Sequence, residues 1–462
     1  MATLNLPTHS YRLRSAPASC AELSNCYIEA LPPDAKTRTV LSRAPGMRPF
    51  ATIGTGPIRG LHTFDGDLFA VSGPNLYRMA SDGTVTGILS TPIPGVGAVS
   101  LDHNVTAMTI VTNPDAFYTD GLIVTQITDA DFTALGAKYV KFLDNYMTFM
   151  PPNSGRLFWA DVGSSSSFDA LNFVTAEGSP DDNVGIESDH QQLIVLGETS
   201  LQIMYYSEDG LVPAINGFAE LGCFNGDTIA KLDNSIFWVA NDFTVRRLSG
   251  ATPQRVSTPA VEQFLSSVDV STLRGYAYDQ DGHFFYLVCC STGCLVFDVA
   301  SGEWANRGTY GQDYFRWQYH AYAHGRHYVG DYYTGQIAYF DPEWYKDGDD
   351  IQLMRFTTQP VYAENRLAVH HRIEIVMETG VGLTTGQGFD PEIMLAYSDD
   401  GGITWKNEPN RKIGKMGEYQ TRVHWDALGS SRMRVYRFSI SDPVKLAVTD
   451  IILTATGARL NG

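Results

Sequence analysis

Few stretches of this chain combine residue types and spacing that could do chemistry. The sharpest runs Ser398-Asp399-Asp400-Gly401-Gly402-Ile403-Thr404-Trp405. It fits the Asp-box pattern S-x-D-x-G-x-T-W at Ser398, Asp400, Gly402, Thr404 and Trp405. Its chemistry is that of a turn: the Asp400 carboxylate can accept backbone N–H bonds across a hairpin, Gly402 permits the tight backbone and Trp405 packs beneath. Acid–base catalysis needs two placed carboxylates, which such a turn does not supply. Histidines gather at His320, His324 and His327, with His370 and His371 further on. His320 and His324 could share a strand face and hold a metal. Their setting, FRWQYHAYAHGRHYVGDYY, is aromatic throughout and fits ordinary strand histidines better.

The six cysteines, Cys20, Cys26, Cys223, Cys289, Cys290 and Cys294, include no C-x-x-C pair and read as reduced core residues rather than metal ligands. There is no G-x-S-x-G elbow, no H-E-x-x-H and no G-x-x-x-x-G-K-[ST] phosphate loop. Gly54, Gly56 and Gly60 lack dinucleotide spacing and read as a turn. Between Arg411 and Arg437 basic residues outnumber acidic ones; this is a phosphate-binding patch, a solvated strand face, or a rim that meets an acidic partner. An acidic stretch from Glu177 to Asp189 reads as a functional insertion or a solvated loop. No catalytic, cofactor-binding or metal-ligating residue is assigned, and an enzyme is not expected.

The elements that would carry these residues are hairpins. Residues 284–298 (FFYLVCCSTGCLVFD) and 327–341 (HYVGDYYTGQIAYFD) repeat one pattern: a β-branched and aromatic run, a Thr-Gly turn, and a second run ending in Phe-Asp. Gly293 and Gly335 are expected to supply positive φ in these turns. Similar units place Phe69, Met108, Met147, Val195, Phe237, Tyr286 and Tyr328 at intervals of 39, 39, 48, 42, 49 and 42, the repeat of a four-stranded propeller blade. Apart from a weak helix at 259–268, where Val261, Phe264, Leu265 and Val268 share a face, helical periodicity is absent. The predicted fold is all-β: a β-propeller-like body of six to seven blades over 51–345, preceded by an extended N-terminal arm over 1–50. A C-terminal β region over 346–462 either forms a sandwich or completes the propeller. The arm, with Arg12, Arg14, Lys36, Arg38, Arg43 and Arg48, either ties to something else or wraps over its own domain.

At 462 residues, 44% apolar and 18% charged, the composition is that of a globular protein. The net charge of −18 disfavours a protein that grips nucleic acid through many phosphate contacts. It suits solubility, or a surface that DNA must slide past. The start, MATLNLPTHSYRLRS, holds no apolar core of signal-peptide length, and no later run reaches membrane-span length, so synthesis in the cytosol is expected.

With these residues in view, the chain resembles the packaged-DNA stabilisation proteins of short-tailed phages, also called tail hub or nozzle proteins. The likeness is carried by NCYIEALPP from Asn25, SRAPG from Ser42, LGETSLQIMYYSEDG from Leu196 and LVFDVASGEW from Leu295. HGRHYVGDYYTGQIAYFD from His324 and VYAENRLAVHHRIEIVMETGVG from Val361 carry it further. The resemblance implies a non-enzymatic virion component with a propeller-like body, made in the host cytoplasm, with no cofactor. It also implies a homohexameric ring beneath the portal and adaptor rings, closed with a needle or plug and neighbouring tail fibres or tailspikes. Such a ring continues the channel for double-stranded DNA and retains the genome until ejection. On that reading Asp181, Asp182, Glu187 and Asp189 are expected to line or rim the channel. The alternative is a glycan-active propeller, a sialidase-like hydrolase or a lectin, which would bring arginines and carboxylates together at the propeller centre.

Overall fold

The computed structural model describes residues 2–12, 19–176, 178–208, 210–362 and 366–456. Arg14 and Glu177, noted above, lie outside the described residues. Seven antiparallel sheets follow one another around an axis. They span 58–87, 100–126, 139–175, 183–219, 230–255, 274–307 and 317–341, and are numbered here as blades 1 to 7. The first strands of successive blades lie against one another, except between blades 4 and 5, where Asn183–Asp189 packs on the turn Gly226–Thr228; Trp317–Ala323 of blade 7 packs on Ile58–Phe64 of blade 1, which closes the ring. Gly46–Thr52 is the fourth strand of blade 7, pairing with Gln336–Asp341 on one side and with Lys346–Asp347 on the other, so chain from before blade 1 locks the last blade. The seven repeat anchors all sit on the second strands of successive blades and are 0–1% exposed.

In six blades the first hairpin turns on a two-residue pair with positive φ at both positions: Asp65-Gly66, Asp144-Asn145, His190-Gln191, Asp233-Asn234, Asp281-Gly282 and His324-Gly325. Such type I′ turns match the twist of the flanking strands and favour Asn, Asp and Gly. The expectation that Gly293 and Gly335 take positive φ is therefore wrong; the left-handed pairs lie one hairpin earlier. Gly335 is required for another reason: a Cβ there would sit 1.9 Å from the Ile53 carbonyl oxygen of the closing strand. The expected helix is present as Pro259–Leu265, with Val261 and Leu265 buried. A second short helix, Ala130–Leu135, capped by Asp129, was not anticipated.

The C-terminal region is a sandwich rather than a completion of the propeller. One sheet runs Cys26–Ala30, Thr39–Arg43, Ala447–Thr456, Ala368–Met377, Val423–Asp426; the other runs Cys20–Ser24, Met354–Thr357, Met433–Ile440, Glu392–Ser398, Lys406–Asn407. Leu41, Ile373, Ile375, Trp425, Ile451 and Leu453 from the first meet Leu23, Phe356, Leu395, Tyr436, Phe438 and Ile440 from the second. The alternation in Arg372–Ile375 does what its pattern predicts, with Ile373 and Ile375 inward and Arg372 and Glu374 outward in ion pairs with Asp426 and Arg422.

Within the first 50 residues, Ala2–Leu4, Cys20–Ser24, Cys26–Ala30 and Thr39–Arg43 are sandwich strands and Gly46–Thr52 belongs to blade 7. Propeller and sandwich are thereby bonded together. Cys20–Ser24 pairs in parallel with Glu303–Arg307 of blade 6, and Asn25 Nδ2 donates to the carbonyls of Gly308 at 3.0 Å and Leu353 at 2.9 Å. Two buried arginines fill the seam. Arg43 donates to the carbonyls of Gln352, Asp442, Val444 and Tyr345. Arg307 donates to Pro45 O and Tyr278 Oη.

Candidate functional site

Because seven inner strands stand around one axis, polar residues on them are brought together from positions some forty residues apart. The centre of this array is Glu187, on the inner strand of blade 4. Its side chain is 7% exposed and receives Lys141 Nζ of blade 3 at 2.7 Å and Lys231 Nζ of blade 5 at 3.5 Å. One carboxylate thus ties three adjacent inner strands. Burial alone would push the Lys141 ammonium down; the charges of Glu187 and Asp102 outweigh it and hold the group above its ordinary value.

Two histidine constellations flank this centre. His62 Nε2 on blade 1 lies 2.7 Å from His103 Nδ1 on blade 2, with Asp102 beside them. Burial pushes His62 down to about 4, and the neighbouring His103 and Lys141 oppose its protonation further, so it is neutral at pH 7. On blade 7, His320 Nε2 lies 3.0 Å from His327 Nδ1, and His327 Nε2 lies 3.5 Å from Asp279 of blade 6. Burial drives His320 down to about 3. His320 therefore faces His327, not His324, which turns to Asp67 at 3.4 Å. His62, Asp102 and His103 were not singled out in the sequence. The available signal was their spacing: His62 and His103 are 41 residues apart, one blade repeat.

The four acidic residues expected at a channel do not form one loop. Asn183–Asp189 is the inner strand of blade 4, because the pattern Val184, Ile186, Glu187 places its residues between neighbouring blades. Asp181 precedes that strand; its carboxylate accepts from Thr199 N at 2.7 Å and from Ser200 Oγ at 2.9 Å. Burial raises the Asp181 carboxyl, but these bonds prevail and hold it below the usual range. Asp182 lies beside it, its carbonyl accepting from Glu198 N. Asp189 is at the opposite end of the strand and pairs with His190 at 2.8 Å. There it borders an open concavity of ≈ 900 Å³, shared with Lys231, Asp279, His320 and His327.

The Asp box lies in the sandwich, at the turn between Glu392–Ser398 and Lys406–Asn407. Asp400 Oδ1 accepts from Ile403 N at 3.0 Å and Thr404 N at 2.9 Å. Ser398 Oγ donates to Asp400 and accepts from Gly402 N. Gly402 has φ +91°, and a Cβ there would stand 3.3 Å from Trp405. These bonds hold the Asp400 carboxyl well below the usual carboxylate range. Within the basic stretch, Lys412 pairs with Asp390, Arg422 with Glu374 and Arg434 with Asp399, so much of its charge is met inside the sandwich. All six cysteines are free and buried. His370 is buried between Ser431 and Tyr436. Of the arginines near the axis, Arg59 is 1% exposed and donates to the carbonyls of Gly73, Ile93, Pro94 and Gly97, which leaves its guanidinium unavailable to a substrate.

Sequence comparison bears on the whole chain. The family described as bacteriophage P22 Gp10, beta-propeller matches residues 26–345, and bacteriophage P22 Gp10, beta-sandwich matches residues 354–456. The chain belongs to this phage family. Its two parts are the propeller and sandwich seen here, and the resemblance noted in the sequence is to the same packaged-DNA stabilisation proteins. No curated protein matches. Among solved structures, the computationally designed Ika8 protein aligns over 72% of this chain and 100% of its own, at 12% identity and a TM-score of 0.42. YCF48 from Cyanidioschyzon merolae aligns over 64% and 99%, at 12% identity and 0.43. The N-terminal domain of Nup159 aligns over 70% and 100%, at 10% identity and 0.41.

Proposed function

We propose that this phage structural protein is a tail hub or nozzle, a non-enzymatic wall element that extends the DNA channel below the portal and adaptor and retains the packaged genome until ejection. The observation that carries the reading is the family match of both domains within one chain. The seam between them supports it: a shared sheet and two buried arginines make propeller and sandwich one mechanical unit, as a pressurised wall requires. The protein would assemble as a homohexamer on the adaptor ring, receive the needle or plug and border the tail fibres or tailspikes, in a virion tail made in the host cytoplasm. The net charge of −18 would let double-stranded DNA pass without adhering. In that ring Asp181, Asp182 and Asp189, at the two ends of blade 4, would face or rim the lumen, whereas Glu187 is engaged by lysines.

The test is genome retention. Filled capsids carrying portal and adaptor are incubated with and without the protein, then challenged with nuclease. Protection that depends on the protein, with six copies per particle, is the expected result. Equal nuclease sensitivity in both arms, or light scattering that reports only monomer in the presence of the adaptor ring, would overturn the proposal. Hydrolysis of a fluorogenic sialoside would decide for the glycan-active alternative.

A further inference from the structure

The two histidine constellations at the axis differ in one respect that decides what each can hold. At His62, Asp102 and His103, one ligand atom from each residue lies within 4.8 Å of the other two. His103 uses the same nitrogen toward both partners: Nδ1 is 2.7 Å from His62 Nε2 and 3.9 Å from Asp102 Oδ1. At His320, His327 and Asp279, His327 offers Nδ1 to one partner and Nε2 to the other. Those nitrogens lie on opposite sides of the imidazole and cannot reach one ion. The first set converges; the second is a relay.

We propose that His62, Asp102 and His103 form a site for one divalent first-row transition cation, zinc foremost, clamped between blades 1 and 2. Two imidazoles and a carboxylate are a ligand set that zinc accepts, whereas magnesium and calcium prefer oxygen donors throughout. Three protein ligands leave a fourth position, and the His103 side chain, 42% exposed, leaves it open to solvent. The carboxylate is fixed before a metal arrives: Asp102 Oδ1 accepts from His103 N at 2.8 Å and Oδ2 from Phe142 N at 2.9 Å.

Tetrahedral zinc holds two ligating nitrogens about 3.3 Å apart. The rings therefore part by about 0.6 Å from their present 2.7 Å, which the exposed His103 ring can accommodate. The proton that one imidazole donates to the other moves to the far nitrogen of its own ring, so both coordinate as neutral ligands with no net proton released. Lys141 is a cation whose charge reaches this set, and its ammonium is paired with Glu187 at 2.7 Å, which lowers its repulsion of a dication. The site uses none of the residues on which the nozzle reading rests and stands or falls independently of it.

The test uses the untagged full-length chain titrated with zinc chloride by calorimetry, with bound metal counted after desalting. One zinc per chain is expected, with little response to magnesium. His103→Ala and Asp102→Asn each weaken binding by about tenfold or more, and His62→Ala does the same. His327→Ala, which removes a ring from the relay, binds as wild type. Zinc raises the melting temperature of the wild type and not of His103→Ala, whose metal-free melting temperature stays near wild type because the ring is only half-buried. If His62→Ala fails to fold, His103→Ala and Asp102→Asn still decide. Absence of zinc binding by the wild type, unchanged affinity in His103→Ala and Asp102→Asn, or an equal loss in His327→Ala would each overturn the proposal.

Discussion

The propeller and the sandwich solve the same problem, burying sheet faces against one another, from opposite kinds of sequence. Each of blades 1 to 6 is one contiguous stretch whose strands pair with their immediate neighbours in the chain. The sandwich is assembled from both ends: Thr39–Arg43 pairs with Ala447–Thr456, and Cys20–Ser24 with Met354–Thr357. Their polar groups differ accordingly. The propeller carries carboxylate, lysine and histidine side chains inward to its axis. The sandwich has an apolar core and places pairs such as Arg372–Asp426 and Arg422–Glu374 outside. Local pairing leaves neighbouring blades without a backbone ladder between them, so side chains tie them: apolar ones where their faces meet, as with Phe69 and Ile110 or Val111 and Phe149, and polar ones at the axis. Non-local pairing ties the sandwich by backbone, and side-chain ties concentrate at its seam with the propeller.

Breaking the seam should have the largest effect. Arg43→Met removes the donor to four backbone carbonyls, those of Gln352 and Val444 buried, and is expected to cost about 3–5 kcal/mol. Urea denaturation followed by hydrogen exchange should show the sandwich opening before the propeller, where the wild type opens both together. A single transition with an unshifted midpoint would mean that the backbone pairing alone holds the two parts. The axial tie comes next. Glu187→Gln leaves two lysines without their shared carboxylate, for an expected loss of about 2–3 kcal/mol. Adding Lys141→Met should recover part of it, a coupling that a double-mutant cycle measures directly. Additive losses would mean that Glu187 and Lys141 act separately.

This difference also explains what could be read from the sequence. The seven anchors were legible because local hairpins impose a repeat near 42 residues, and the alternation in Arg372–Ile375 was legible because one face of that strand meets a core. The sandwich strands Cys20–Ser24 and Thr39–Arg43 were not, since their partners lie between 331 (Ser24 to Arg355) and 407 (Leu41 to Val448) residues away and a short strand carries no mark of a distant mate. The turn chemistry was half read: Thr-Gly pairs attracted attention, while the left-handed turns used Asp, Asn, His and Gln as well as Gly. Candidate sites fared by the same rule. The Asp box is one turn within eight residues, and the bonds its pattern implies all form inside it. The His62–Asp102–His103 group joins two blades and carries no local signal, and the acidic stretch around Glu187 resembles a solvated loop because the lysines that neutralise it come from strands on either side.

A smaller effect contrasts the propeller's edge with its axis. Asp347 beside blade 7 is 1% exposed, accepts from Trp317 Nε1 and has Oδ2 without a partner. Burial pushes its carboxyl up to about 6, against the bond from Trp317. The folded state therefore holds this proton more tightly than the unfolded chain, so the contribution to stability is complete below about pH 4 and is lost as pH rises through about 6. Asp347→Asn, which cannot ionise, should be more stable than wild type by about 1–2 kcal/mol at pH 8 and no better at pH 4. Denaturation midpoints at the two pH values check this, and a gain of equal size at both would exclude the carboxylate as its source.

The least effect is expected where the sandwich has a tie of its own that reaches nothing else. Every partner of Asp400, from Ser398 to Thr404, lies within the one turn, and Ile403 is 76% exposed. Asp400→Asn replaces one accepting oxygen with an amide that faces the Thr404 N–H. Exchange at the Ile403 and Thr404 amides should accelerate while the global denaturation midpoint stays close to wild type. A global loss approaching that of Glu187→Gln would show that the box braces the sheet beneath it, through Trp405 and the Arg437 guanidinium stacked on its ring at 3.4 Å. The sandwich would then depend, like the propeller, on a side-chain tie away from the seam.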